Sequence, residues 1–354
     1  MTCRRGFLEV SLLVGLAVLV CPLQVCPANA AESTAPSFEQ LLGWLPADTE
    51  EITVGTGSFV IPKVKPGGDD EDEKNKPISQ EDLRLLGHTL ALGSFGFGDS
   101  LLMKHLKGQT VLLSLEGSRH FRPPSGLGQM LSEDCAIAVF AGNQTNNYRA
   151  FSRDPKAAPF RSMTIEGVTV MSFQEKLEED IWTFYAAMPQ PNIITVATNE
   201  DYLREVLRRM HGAAGPRALP DTLPEWKYVD RQSPAWALRH YDRSQAAMDP
   251  SSPYGGKKSA NHPDDDAIGI VFQLVPSGDM RVVIRYLSSP KGARMLIPNI
   301  FAAGDEPETT KAMQIRTREI VPGVVEGSYR LASSDALSDF LFGLLGAFGH
   351  GVYL

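Results

Sequence analysis

Between Ile268 and Tyr286 two rows of apolar side chains alternate on either side of Pro276-Ser277-Gly278-Asp279. Ile268, Ile270, Phe272 and Leu274 fill every second position of one arm, and Met280, Val282, Ile284 and Tyr286 every second position of the other. Strand side chains point alternately to opposite faces, so each arm offers one oily face and the pair reads as a hairpin. The same signature recurs along the chain. Met163 to Ser172 turns at Glu166-Gly167, Ile181–Ala187 and Ile193–Thr198 flank Pro189-Gln190-Pro191-Asn192, and Lys311 to Leu331 turns at Pro322-Gly323. Glu51–Gly57, Gln109–Gly117 and Cys135–Ala141 add further runs of strand length. Hairpins of this kind build antiparallel sheet.

Helices punctuate these hairpins. Phe38 to Leu45 reads as a short helix stopped by Pro46. Ser79 followed by Asp82 forms a capping box ahead of Leu83, Leu86 and Leu90. Asn199 caps a helix with Leu203, Val206, Leu207 and Met210 on one side, acids in its first turn and Arg208 and Arg209 in its last. Further helices are expected over Gly292–Ala302 and from Asp335, where Phe340 to Phe348 is apolar nearly all round. At that length the last one reads as a helix buried on a sheet, with membrane contact as the weaker reading. Hairpin followed by helix at 181–211, 267–302 and 311–349 predicts an α+β fold. Antiparallel sheets of β-hairpins would carry helices on one face, in related β-β-α units. The Gly-, Ala- and Pro-rich 213–223 stretch reads as a linker between halves at 31–212 and 224–354, which can still share a sheet. Residues 62–78, with Asp69-Asp70-Glu71-Asp72-Glu73, read as an exposed acidic insertion.

The first thirty residues have another character. Arg4 and Arg5 precede an apolar run from Val10 to Val20, and Ala28-Asn29-Ala30 offers a small-x-small cleavage site, which together read as a secretory signal peptide. Arg4-Arg5-Gly6-Phe7-Leu8 resembles a twin-arginine export signal, and an ordinary Sec signal is the other reading. Of four cysteines only Cys135 lies beyond the leader, so an exported form has no internal disulfide and depends on core burial. Removing the leader takes two arginines and Glu9 from 34 basic and 42 acidic residues, leaving a net charge of −9. That balance gives no attraction to nucleic acid. Shortly after the leader comes Leu45-Pro46-Ala47-Asp48-Thr49. Here the chain resembles exported bacterial proteins of unknown function that open with a Leu-Pro-Ala-Asp-Thr segment. The resemblance implies an extracytoplasmic (periplasmic or secreted) setting and transfers no catalytic residue.

Pro224 to Arg243 holds two of the four tryptophans and the densest group of titratable side chains. Ser233-Pro234 could open a helix, while Trp236, Leu238 and Tyr241 suit a strand. Residues four apart share a face in either geometry, so Trp236 and His240 point the same way. In the strand reading Asp242 joins them, placing an imidazole beside a carboxylate. That pair can serve as an acid and base, or as a structural histidine at the rim of a core. Arg239 and Tyr241 then fall on the opposite face. Arg316 and Arg318, opposite Glu326 and Arg330, are either one solvated sheet face or a cationic ligand strip. Trp236, Arg239, Tyr241, Arg316 and Arg318 are therefore the candidate ligand-binding residues.

Motifs for known chemistry are missing. There is no Gly-x-Ser-x-Gly elbow, no His-Glu-x-x-His, no dinucleotide fingerprint and no Cys-x-x-Cys after the leader. The glycines at 93, 96 and 98 lack the context of a phosphate loop, and the acids at 264–266 lack calcium or zinc spacing, so neither a cofactor nor a metal is expected. The expected function is that of a non-catalytic exported module binding a small ligand or another extracytoplasmic protein. A hydrolase using His240 and Asp242 is the alternative.

Overall fold

The computed structural model describes residues 35–61, 79–95, 101–121, 131–154, 161–177, 180–240, 267–274, 279–286 and 316–330. The leader, the acidic 62–78 stretch, Tyr241, Asp242 and the helices expected at 292–302 and from Asp335 lie outside the described residues.

Among those residues the chain runs α1 (Phe38–Trp44), β1 (Glu51–Val60), α2 (Gln80–Ala91), α3 (Leu101–Leu106), β2 (Thr110–Phe121), β3 (Leu131–Phe140) and α4 (Thr145–Phe151). Then follow β4 (Arg161–Ile165), β5 (Val168–Leu177), β6 (Asp180–Gln190), β7 (Ile193–Ala197) and α5 (Glu200–Met210). After a 3-10 turn at Pro224–Tyr228 come β8 (Ala235–His240), β9 (Ala267–Leu274), β10 (Asp279–Tyr286), β11 (Arg316–Val321) and β12 (Val324–Arg330). All twelve strands join one antiparallel sheet in the order β11-β12-β10-β9-β8-β1-β2-β3-β7-β6-β5-β4. The fold is α+β.

Local chemistry sets the elements. Ser37 and Gln40 close a capping box on α1, Ser79 and Asp82 close one on α2, and the Asn199 side chain accepts from the Tyr202 N–H to start α5. Glu166 and Gly167 both take positive φ, the geometry a two-residue hairpin needs, and turn β4 into β5. In β6 the ladder with β7 slips between Ala187 and Gln190, where Pro189 has no N–H to donate.

The sheet grows outward from a central seam where Ile52 and Val54 of β1 pair with Leu238 and Trp236 of β8. On each side the chain adds two more strands in order, β2-β3 on one and β9-β10 on the other. It then travels to the edge and returns, so that β7 pairs with β3 and β12 with β10. The 213–223 stretch connects these halves with Ala218 and Leu219 packed into the core.

Helices cover both faces, which corrects the expected one-sided layer. On one face α1 and α5 pack Leu41, Leu42, Leu203, Val206 and Leu207 on Ile52, Leu115, Ile137 and Leu238. On the other, Leu102, Leu106 and Phe151 of α3 and α4 pack with Val111, Ala138, Phe173 and Phe184. The reason lies in β3 and β7. Cys135 to Phe140 and Ile193 to Ala197 are buried at every position, apolar except for Thr195, whose hydroxyl bonds the Ala136 carbonyl, as two covering layers require.

Candidate functional site

Where α1 begins, it lies over the β1–β8 seam. Ser37, Phe38 and Glu39 from α1 and its cap, Val54 and Thr56 from β1, Trp236 from β8 and Arg231 from the preceding turn enclose a half-open pocket of about 230 Å³. Trp236 reaches it because the even positions of β8 face α1, alongside Val54 across the ladder. Its ring meets Phe38 edge-on at 5.2 Å and Trp226 at 6.0 Å, and Phe38 meets Trp226 at 6.4 Å. Edge-to-face pairs of this kind each contribute about 0.5–1.5 kcal/mol beyond the area they bury. The Trp226 N–H lies 3.0 Å from the carbonyl oxygen of Leu219. By contrast, the Trp236 indole N–H is buried and has no hydrogen-bond partner among the described residues.

A charged rim surrounds this apolar floor. The Arg231 guanidinium lies 4.9 Å from the Trp226 ring centre and 5.4 Å from that of Phe38, and its Nη1 donates to Glu39. Arg217 donates to the other Glu39 oxygen at 2.7 Å, pairs with Asp221 at 2.6 Å and sits 5.5 Å over Trp226. The cations thus already hold the outer faces of the aromatic group, with Glu39 as their shared counter-charge.

Only some of the sequence candidates meet here. Trp236 forms the floor. His240 shares its face at the far end of β8, where Nδ1 lies 3.4 Å from a carboxylate oxygen of buried Glu225. A Cβ at Gly269, the His240 partner on β9, would overlap that carboxylate, so the glycine admits Glu225 to the sheet. Arg239 points to the opposite face, 3.4 Å from Glu51. Arg316 and Arg318 lie on the outermost strand β11, beyond β9, β10 and β12. Arg318 and Arg281 both bond Glu326 there, leaving Arg316 exposed. Phe38, Glu39 and Arg231 were not singled out from sequence. Only the aromatic at the first position of a capped helix could have pointed to them.

Two other groups invite a chemical reading. Buried His88 lies 2.8 Å from the Ser114 hydroxyl through Nδ1 and 2.7 Å from the Gly57 carbonyl oxygen through Nε2. A carbonyl only accepts, so Nε2 carries the proton and Nδ1 accepts from Ser114. This is the polarity of an activated serine, but both residues are fully buried between α2 and the sheet. Burial, with Arg84 adding to it and the Gly57 bond opposing, lowers the His88 pKa to about 4. Cys135 is also buried, 3.3 Å from the Thr195 hydroxyl. Burial, opposed by that hydroxyl and reinforced by Glu116 and Asp134, pushes its thiol up to about 12, where it is no nucleophile.

Among the described residues no three His, Cys, Asp or Glu side chains gather as a metal site would require, and no helix is long and apolar enough to cross a membrane. Comparison with protein-family models, with curated proteins and with solved structures returned no match.

Proposed function

We propose that the chain is an exported protein that binds a small ligand or an extracytoplasmic partner group in the pocket between α1, β1 and β8, without chemistry of its own. The observation that carries this reading is the half-open aromatic pocket itself. It is apolar at its floor and ringed by a few placed polar groups, the usual make-up of a ligand site. Export is supported by the leader pattern. N-terminal sequencing of the exported form, expected to begin at Ala31, checks it.

A screen of small aromatic and aliphatic compounds by ligand-observed NMR should find binders, and Phe38→Ala should weaken them about tenfold or more. Urea unfolding of that variant should still show one cooperative transition. Binding that Phe38→Ala leaves intact would move the site elsewhere. The alternative is a hydrolase using His240 and Asp242; Asp242 lies outside the described residues, and Glu225 is a second carboxylate placed to orient the imidazole as a base. Ester turnover that survives Phe38→Ala but disappears in His240→Gln would favour that reading instead.

A further inference from the structure

We infer that the pocket takes a flat apolar group bearing a carboxylate, on the scale of an arylacetate. This rests on the reading of the pocket as a ligand site. It follows from which hydrogen-bonding groups there are already committed.

Size comes first. An apolar cavity of about 150 Å³ holds a benzene ring. The space beside Phe38, Val54 and Trp236, about 230 Å³, therefore holds one ring with a short polar arm. The walls offer an edge and a face for that ring to pack against.

The sign of the polar arm follows from the donors. The Trp236 N–H is closed off from the open space, so the groups at the mouth decide the sign. Arg231 is half-exposed at the mouth and gives only Nη1 to Glu39, so Nε and Nη2 remain without a partner among the described residues. Thr56 already donates its hydroxyl to the Ser233 carbonyl at 2.7 Å. The group left uncommitted at the mouth is therefore a cationic donor, Arg231.

A cationic ligand meets the reverse situation. Arg231 and Arg217 already occupy the Phe38 and Trp226 faces that would attract it, and Glu39 is bonded to both arginines. An ammonium group would have to displace a guanidinium from ring and carboxylate at once. A carboxylate instead joins Arg231 in the charge-assisted, fork-shaped pairing that guanidinium favours.

The test compares phenylacetate, phenethylamine and benzyl alcohol, which share a ring and differ in charge. Binding is followed at the indole ¹H–¹⁵N signals, with the Trp236 signal identified by its loss in Trp236→Phe. Phenylacetate should bind at least about tenfold more tightly than phenethylamine and shift the Trp236 signal, because that ring lines the pocket. Arg231→Gln should remove that preference, so that phenylacetate and phenethylamine bind alike, while urea unfolding still shows one cooperative transition. Equal or better binding of phenethylamine, or a preference unchanged in Arg231→Gln, overturns the inference but leaves the ligand site standing. If none of the three probes moves the Trp236 signal, both fall together.

Discussion

Gly87→Ala should lower the unfolding free energy by about 3 kcal/mol, and Gly87→Val should prevent the chain from folding cooperatively. A Cβ at Gly87 would stand 2.5 Å from the Pro234 carbonyl oxygen and 2.8 Å from the Ala235 Cβ. Neither neighbour can swing aside. The Pro234 oxygen accepts the Thr56 backbone N–H at 2.8 Å, so it belongs to the ladder joining β1 to β8. From the other side a Cβ at Gly55 would come within 2.7 Å of the Gly87 backbone. Helix α2 thus rests backbone to backbone on the seam from which the sheet grows. The substitution carries its own control, because alanine inside a helix is intrinsically favoured over glycine by about 1 kcal/mol. Gly43 lies in α1 with nothing within 4 Å of its Cβ direction, so Gly43→Ala should be neutral or slightly stabilising. Urea denaturation should show a clear loss for Gly87→Ala and none for Gly43→Ala. A loss below about 0.5 kcal/mol at Gly87 would mean that α2 does not sit at this depth.

The glycine pair also shows where sequence reading stops. Gly87 interrupts a well-capped helical pattern, and within the helix alone it is only a weak position. Its reason is Pro234 and Ala235, far later in the chain, where β8 begins. The hairpins were legible because turn chemistry and period-two alternation are local, as with Glu166-Gly167 and the 267–286 arms. Three of the helices were legible from their caps and apolar spacing. The second helical layer was not, since α3 and α4 are too short to show a period. The nearly unbroken apolar runs of β3 and β7 carried the information that both faces are covered. Of the site, Trp236 and the face it shares with His240 were legible. Arg231 lies in a turn, and Phe38 stands nearly two hundred residues from Trp236, so only the β1–β8 pairing brings them together. His240 finds its carboxylate in Glu225, upstream in the chain, because a bare Gly269 leaves room for it.

Acidification should destabilise the protein through His88 by about 3 kcal/mol between pH 6.5 and pH 4, beyond whatever the carboxylates contribute. In the unfolded chain this imidazole takes a proton near its ordinary 6.5, whereas in the fold burial holds it neutral down to about 4. Above pH 6.5 neither state is protonated and His88 contributes no pH dependence. As pH falls through the window the unfolded state binds a proton that the folded state refuses, so stability drops with falling pH at up to about 1.4 kcal/mol per unit. Below pH 4 both states are charged and the loss levels off. The geometry explains the refusal. A proton on Nδ1 would turn the Ser114 hydroxyl from donor to acceptor and bury a charge in the field of Arg84, with no carboxylate among the described residues in hydrogen-bond contact with either ring nitrogen. Unfolding free energies of the wild type and His88→Asn, measured from pH 7.5 to 4, separate this residue from the rest. The wild type should lose about 3 kcal/mol more than the variant across that range. If the asparagine chain is too weak to measure, the ring carbons of His88 can be titrated directly in the folded protein by NMR. A midpoint near 6.5, or parallel pH profiles in the two proteins, would show that the ring is reached by water and that the contact between α2 and the sheet is looser than its hydrogen bonds imply.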